Sequence, residues 1–322
     1  MKRRAVLAFG AGLLPAATAA QQAGPLPPLI GVVRVNGKSV EQFEPAFRRD
    51  MTRLGWEDGR NVRFAFLWAD GQTERLPDLA GELVARKADI LVAFGKLGVE
   101  ATQRATRQTP IVGMADDLVG EGLVASIARP GGNITGVSIL GHELDVKRLE
   151  LLHELAPRAR KVGVIVDPGM GGHDDNAALR KAAIGLGLEP VFVSAENRDQ
   201  LARAFDGLSA EKVEAVNVLA SPFLNAVRGL IIERMREMRL PVIYEWPETA
   251  EEGGLMGYGP RITLCYRHVA VLVDRLLHGA KPSDLPIERP TVFTLVVNAG
   301  TAHALGLPIP PVILLRADTV VD

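Results

Sequence analysis

A few patches of this 322-residue sequence carry residue types that could do chemistry. Asn36-Gly37-Lys38-Ser39 has the ending of a phosphate-binding loop, in which backbone amides and a lysine hold phosphate oxygens. The loop's first glycine would have to stand at Val32; Gly31 is one residue early, so the spacing fails. Gly136-Val137-Ser138-Ile139-Leu140 presents a serine but lacks the second glycine of a nucleophile elbow. No two of His142, His153, His173, His268, His278 and His303 stand at metal-ligand spacing on one helix. Gly171-Gly172-His173-Asp174-Asp175 has donors for a metal, but it also has the makeup of a polar loop whose Asp174 or Asp175 caps the next helix. Cys265 stands alone, which allows no internal disulfide and no cysteine metal cluster. No catalytic residue, metal ligand or cofactor site is expected.

The elements that would position any site alternate between strand and helix patterns. Leu29–Val35 reads as a strand, Val40–Leu54 as a helix, Val62–Trp68 as a strand and Thr73–Arg86 as a helix. Strands Asp89–Phe94 and Pro110–Met114 flank a helix over Leu97–Thr106. Ile127–Ser138, a Gly/Pro-rich turn with a short strand, interrupts the series. A second series follows, with strands at Lys161–Val166, Pro190–Ser194, Ala215–Leu219 and Pro241–Tyr244. Continuous apolar strands separated by helices imply parallel sheets covered on both faces. The expected fold is therefore α/β, with two similarly built lobes joined by a multi-strand hinge. The expected division puts residues 29–143 and 254–289 in the first lobe, and residues 144–253 and 290–322 in the second. The crossings are then near Ser138–Leu144, Trp246–Gly254 and Glu288–Val292.

In open parallel sheets a ligand sits beyond the carboxyl ends of the strands. That rule selects Asn36, Trp68, Asp70, Gly95, Lys96 and Asp117 from the first lobe. From the second it selects Asp167, Ser194, Ser221, Phe223, Tyr244 and Glu245. Trp68, Phe223 and Tyr244 stand out in a chain of ten Phe, three Trp and three Tyr. Each candidate also has a structural alternative. Trp68 can pack on the first helix, Phe223 can fill core space, Asp117 can cap a helix, and Tyr244 with Glu245 can brace the hinge. Ser138 reads as a hinge residue. Helix N-termini beyond these strands offer unpaired N–H groups and partial positive charge to a carboxylate.

A formal charge of −1 gives no electrostatic reason to expect nucleic acid. Lys2, Arg3 and Arg4 precede an apolar run, Ala5–Ala17, that is shorter than a membrane span, and small residues follow at Ala17–Ala20. Residues 1–20 therefore read as a cleaved signal peptide, and Arg3-Arg4 also fits a twin-arginine signal. Cys265 lies far from the leader, so no lipid anchor is expected and the product is a free periplasmic protein.

Longer stretches carry a resemblance. They include Leu54-Gly55-Trp56, Gly59-Arg60-Asn61-Val62, and Ala128-Arg129-Pro130-Gly131-Gly132-Asn133-Ile134-Thr135-Gly136. Gly253 to Gly259, Val273-Asp274-Arg275, Gly279-Ala280-Lys281-Pro282 and Ala304-Leu305-Gly306-Leu307 continue it. In these the chain resembles the ABC-transporter substrate-binding proteins that include tryptophan- and tyrosine-binding lipoproteins. It departs from them at Asp117-Leu118-Val119, at Gly95-Lys96 and in lacking an anchor cysteine. The resemblance implies two Rossmann-like lobes of the type I periplasmic-binding-protein kind with a ligand cleft between them, and delivery of a small organic ligand to the membrane permease of an ABC importer. With no catalytic motif the chain is expected to be a binding protein and not an enzyme, acting as a monomer that closes on its ligand at the hinge. A carboxylate is the leading ligand, with aromatic acids and amino acids among the candidates. A periplasmic ligand sensor for a receptor, and a periplasmic α/β enzyme, fit the same architecture.

Overall fold

The computed structural model describes residues 26–35, 37, 43–168 and 176–322. Asn36, Lys38, Ser39 and the Gly171–Asp175 patch lie outside them. The first series of elements is β1 (Leu29–Arg34), α1 (Phe43–Arg53), β2 (Arg63–Trp68), α2 (Leu76–Ala85), β3 (Ile90–Phe94), α3 (Gly95–Ala105), β4 (Ile111–Ala115) and β5 (Ile134–Ser138). The second is α4 (Asp145–Leu155), β6 (Lys161–Val166), α5 (Asn176–Gly185), β7 (Glu189–Ser194), α6 (Arg198–Ala210), β8 (Ala215–Val218), α7 (Pro222–Ala226), α8 (Arg228–Glu237) and β9 (Val242–Tyr244). Then come α9 (Pro247–Glu251), β10 (Met256–Gly259), α10 (Ile262–Leu277), β11 (Thr294–Asn298), α11 (Ala299–Leu305), α12 (Pro311–Arg316) and β12 (Thr319–Val321).

Two sheets result. One has five parallel strands in the order β2-β1-β3-β4-β5. The other has seven, in the order β12-β11-β10-β9-β8-β6-β7, with β10 and β11 antiparallel. Strand alternation divides the apolar residues between two faces of each sheet. In the first, Ile90, Val92 and Phe94 join the core under α1 and α10, while Leu91 and Ala93 join the core under α2 and α3. In the second, Val162, Val164 and Val166 face the core of α4 and α5, while Ile165, Val216 and Tyr244 face that of α6 and α8.

The Pro130–Gly136 motif has a backbone role. Asn133 Nδ2 donates to the Thr109 carbonyl at 2.7 Å, which pins the turn to the start of β4. Gly136 pairs with Gly113 in register, and a Cβ on Gly136 would stand 1.8 Å from the Gly113 carbonyl oxygen. Thr135 Oγ1 donates to the Leu285 carbonyl, and Ser138 N donates to the Glu288 carbonyl, so residues 285–288 line the edge of β5.

One boundary differs from the sequence expectation. Met256–Gly259, placed there with the first lobe, is hydrogen-bonded between β9 and β11 in the second sheet. An apolar strand this short is stable only with neighbours on both sides. The chain therefore crosses between β10 and α10, after Gly259, and not within Trp246–Gly254.

Candidate functional site

The carboxyl ends of both sheets face a cleft of about 540 Å³, within the usual range for a small-molecule site. The first lobe contributes Asp70, Glu74, Gly95 and Lys96. The second contributes Asp167, Arg198, Pro222 and Phe223. Phe94, Gly95 and Pro222 also line a smaller recess of about 50 Å³ toward the hinge, whose other walls include Arg34, Asp116, Ser221, Glu245, Trp246 and Tyr266.

Local sequence accounts for each position. Gly95 opens α3 at φ +69°, a left-handed conformation that favours glycine. A Cβ there would stand 3.6 Å from the Pro222 ring of the opposite lobe, so the lobes meet at this point. Lys96 follows in the first turn of α3, and Arg198 opens α6 behind the Asn197 cap. Each lobe therefore brings one cation to the cleft at a helix N-terminus, where backbone N–H groups also favour an anion. Ser221 caps α7: its Oγ accepts the Leu224 N–H at 3.1 Å, while its hydroxyl donates to Asp167 Oδ2 at 2.5 Å. That double use fixes the Asp167 carboxylate at the cleft wall. Asp70 is paired with Arg75 at 3.2 Å.

Charged groups are concentrated at the inner end, where the first crossing leaves β5. His142 Nδ1 and Asp116 Oδ2 are paired at 2.5 Å. The hydrogen bond to Asp116 drives His142 up to about 9. Burial opposes ionisation of Asp116, but hydrogen bonds and charge from His142 hold it below the ordinary carboxylate range. Arg148, fully buried, pairs with Asp145 and donates to the carbonyls of Gly141 and Tyr258. Burial lifts Asp145 to about 6, against the pull of Arg148. Glu245 is 4% exposed, and burial pushes it up to about 8. Among the described residues no three His, Cys, Asp or Glu side chains are grouped to hold a metal ion.

Of the positions selected from the sequence, Asp70, Gly95, Lys96, Asp167 and Phe223 line the outer cleft, and Gly95, Ser221 and Glu245 the inner recess. Four others lie elsewhere. Trp68 stacks on Phe66 with ring centroids 6.1 Å apart and packs against the core under α1, because β2 turns Phe64, Phe66 and Trp68 to one face. Tyr244 is 3% exposed in the core under α6 and α8, since β9 is covered on both faces. Asp117 bends back to accept the Val119 N–H at 3.1 Å and pairs with Arg289 at 3.5 Å. Its neighbour Asp116 points into the recess instead. Ser138 is fully buried, with its Oγ accepting the Leu118 N–H at 3.0 Å between the ends of β4 and β5. Ser194 ends the edge strand β7, away from the cleft.

The sequence reading missed Arg34, Asp116, Arg198, Asn225, Trp246 and Tyr266. Arg34 was legible as the only charged residue of an otherwise apolar strand. Its guanidinium lies 4.0 Å from the Phe94 ring centroid, a cation–π contact that keeps it in the recess wall.

The family described as ABC transporter substrate binding protein matches residues 30–321. A curated tyrosine-binding protein of Clostridioides difficile (strain R20291) is 24% identical over 85% of this chain and 79% of its own length. A conserved domain protein from Vibrio cholerae is 25% identical, with a TM-score of 0.79 over 91% of this chain and 99% of its own. A Streptococcus pneumonia ABC domain in complex with L-Trp is 22% identical, also at 0.79, over 92% of this chain and 100% of its own. The ligand-free, open structure of a Clostridium difficile substrate-binding protein is likewise 22% identical, at 0.61, over 91% of this chain and 99% of its own.

Proposed function

Because the chain belongs to the family of ABC transporter substrate-binding proteins, we propose that it is the periplasmic solute-binding component of an ABC importer, released by cleavage of residues 1–20. It binds a small organic carboxylate by hinge closure and hands it to a membrane permease, acting as a monomer and doing no chemistry on its cargo. The observation that carries this reading is a single cleft walled by the carboxyl ends of both sheets, with a cation from each lobe at a helix N-terminus. No described helix is long and apolar enough to cross a membrane. The close approach of Gly95 to Pro222 across the cleft supports a closed arrangement. So does a higher TM-score to the L-Trp complex, 0.79, than to the ligand-free, open relative, 0.61. Phe94 and Phe223 offer flat apolar surface to an aromatic or amino-acid body.

Mass spectrometry of compounds released from protein purified without refolding tests the proposal. A small carboxylate that rebinds the emptied protein is the expected result. A bound compound that the protein converts to product would overturn it in favour of an enzyme.

A further inference from the structure

The hinge holds the two unused halves of an ion pair. Arg148 is fully buried on α4, where its Nε donates to the Tyr258 carbonyl and its Nη1 to the Gly141 carbonyl and to Asp145. It thereby holds the backbone of the first crossing and the strand end that leads into the second. Its Nη2 is buried without a hydrogen-bond partner, and so is Oε1 of Glu245, the residue after β9. The two residues are neighbours. Arg148 Nη2 stands 3.9 Å, and the Glu245 carbonyl oxygen 2.3 Å, from the point that a Cβ on Gly259 would occupy. A buried donor and a buried acceptor left unused each cost stability, so something in this arrangement must keep them from pairing.

The opposing group comes from the other lobe. Asp116 follows β4 of the five-stranded sheet, whereas Glu245 follows β9 of the seven-stranded sheet, on which α4 with Arg148 also packs. Asp116 Oδ1 and Glu245 Oε1 converge on Gly141 in the first crossing, each 2.9 Å from the point its Cβ would occupy. Two carboxyls this close resist simultaneous ionisation. Asp116 is the ionised one: burial opposes its charge, but the bond and the charge of His142 outweigh burial. We propose that Glu245 couples closure of the lobes to uptake of one proton from solvent: closing brings its carboxyl up against Asp116, and opening lets it ionise and pair with Arg148 Nη2. The inference rests on the hinge-closure reading and adds a means of regulating it, with affinity for the cargo falling as pH rises.

The groups facing Glu245 set the direction of the effect. Burial is the largest influence and pushes it up to about 8. Asp116 at the end of β4 and Asp145 on α4 add to that, while Arg148 on α4 and His142 in the first crossing oppose it. Arg34 of β1 and Tyr266 of α10 line the same recess, and the Cys265 thiol of α10, faced by Glu248 of α9, is pushed up to about 12 by burial. Opening withdraws Asp116 and admits water, both of which lower the Glu245 value. A group whose protonated form is favoured by closure supports the closed form fully below its value in the open form. It loses that support as pH rises through about 8. Between the two values each pH unit shifts the closed-to-open ratio by up to about tenfold.

The test compares wild-type protein with Glu245→Gln, which keeps the shape of the protonated side chain and cannot ionise. Small-angle scattering is recorded between about pH 5 and 9 on protein freed of bound compounds by dialysis. The expected result is a wild-type radius of gyration that increases with pH and a Glu245→Gln radius that stays at the compact value throughout. Gly141→Ala, which puts a methyl group where the two carboxyls converge, should be expanded even at the acid end. The small molecules released by denaturing the purified wild-type protein are then titrated back by calorimetry at about pH 7 in two buffers of different ionisation enthalpy. Wild-type protein should take up protons as they bind, and Glu245→Gln should take up none. A wild-type radius independent of pH overturns the proposal, as does a Glu245→Gln radius that follows pH like the wild type. Proton release on rebinding, or a Gly141→Ala protein as compact as wild type, overturns it too. In each of these cases compaction by the released molecules would leave the transport reading standing. A radius that follows pH only when Glu245 is present, in a protein that releases no small molecule, would refute the transport reading and leave the proton-coupled hinge in place.

Discussion

Lys96 stands in the first turn of α3, where a cation is disfavoured by the helix dipole by roughly 0.3–1 kcal/mol. A carboxylate in the cleft would reverse that penalty and add a charge-assisted hydrogen bond worth about 1.5–3 kcal/mol. Lys96→Ala should therefore weaken binding of a carboxylate ligand by about tenfold or more, with a smaller loss for the corresponding amide. Isothermal titration of the acid and amide pair reads this, and equal losses would mean that Lys96 supports the loop without reading charge. A pH dependence belongs at the same scale. Glu245 is raised to about 8 and Glu121 to about 7, both by burial, and His142 to about 9 by its bond to Asp116. A raised value means that the fold favours the protonated form. The two carboxyls contribute fully below their ordinary values and lose that contribution as pH rises through 7 and 8. His142 contributes fully below its ordinary value and loses it as pH rises through 9. All three act in one direction, so the melting temperature of the ligand-free protein should fall from pH 5 to pH 10. Each group contributes at most about 1.4 kcal/mol per pH unit across its interval. Glu245→Gln should flatten the profile between pH 5 and 8; an unchanged slope would remove Glu245 from its cause.

Among the elements, the least replaceable position is a glycine pair. β4 and β5 lie side by side at Gly113 and Gly136, so closely that a Cβ on Gly136 would overlap the Gly113 carbonyl. Gly136→Ala must push β5 off its neighbour and should cost about 3 kcal/mol or more, read as a lowered midpoint in urea unfolding. A loss below about 1 kcal/mol would show that the strands can separate freely there. The same pair shows what the sequence made legible. The glycine-rich stretch ending at Gly136 was visible as a motif, but its work is backbone packing at the hinge side of the first lobe, not ligand contact. The alternation of strand and helix was legible because each strand is a nearly unbroken apolar run. Strand ends were not legible to the residue: β4 stops at Ala115, which turns Asp116 inward and Asp117 away. Tyr244 misled for a related reason. A strand buried on both faces has no polar side to mark which way its last residue points. Arg34 escaped because a pattern of apolar positions has no place for a buried arginine resting on an aromatic ring.

At the scale of the whole molecule, two lobes are joined by three chain crossings, the arrangement that the proposed hinge closure requires. The first crossing, between Ser138 and Asp145, contains Leu140 at φ +56°, a left-handed conformation that costs a bulky residue about 1–2 kcal/mol. The same segment carries His142, whose pairing with Asp116 ties it to the end of β4. The second crossing follows Gly259, and the third runs from Arg289 into β11. Asp70, Glu74, Asp167 and Glu196 line the same cleft of about 540 Å³ as Lys96 and Arg198. Under the proposed function, a ligand that bridges Lys96 of one lobe and Arg198 of the other would favour the closed form and shift the population toward it. Small-angle scattering should accordingly give a smaller radius of gyration with saturating ligand than for the emptied protein, with no change in molecular mass. Lys96→Ala should need more ligand to reach the same compaction, because one of the two bridging cations is gone. An identical radius with and without a ligand proven to bind would mean that the lobes do not hinge, and the strain at Leu140 would then belong to a fixed turn.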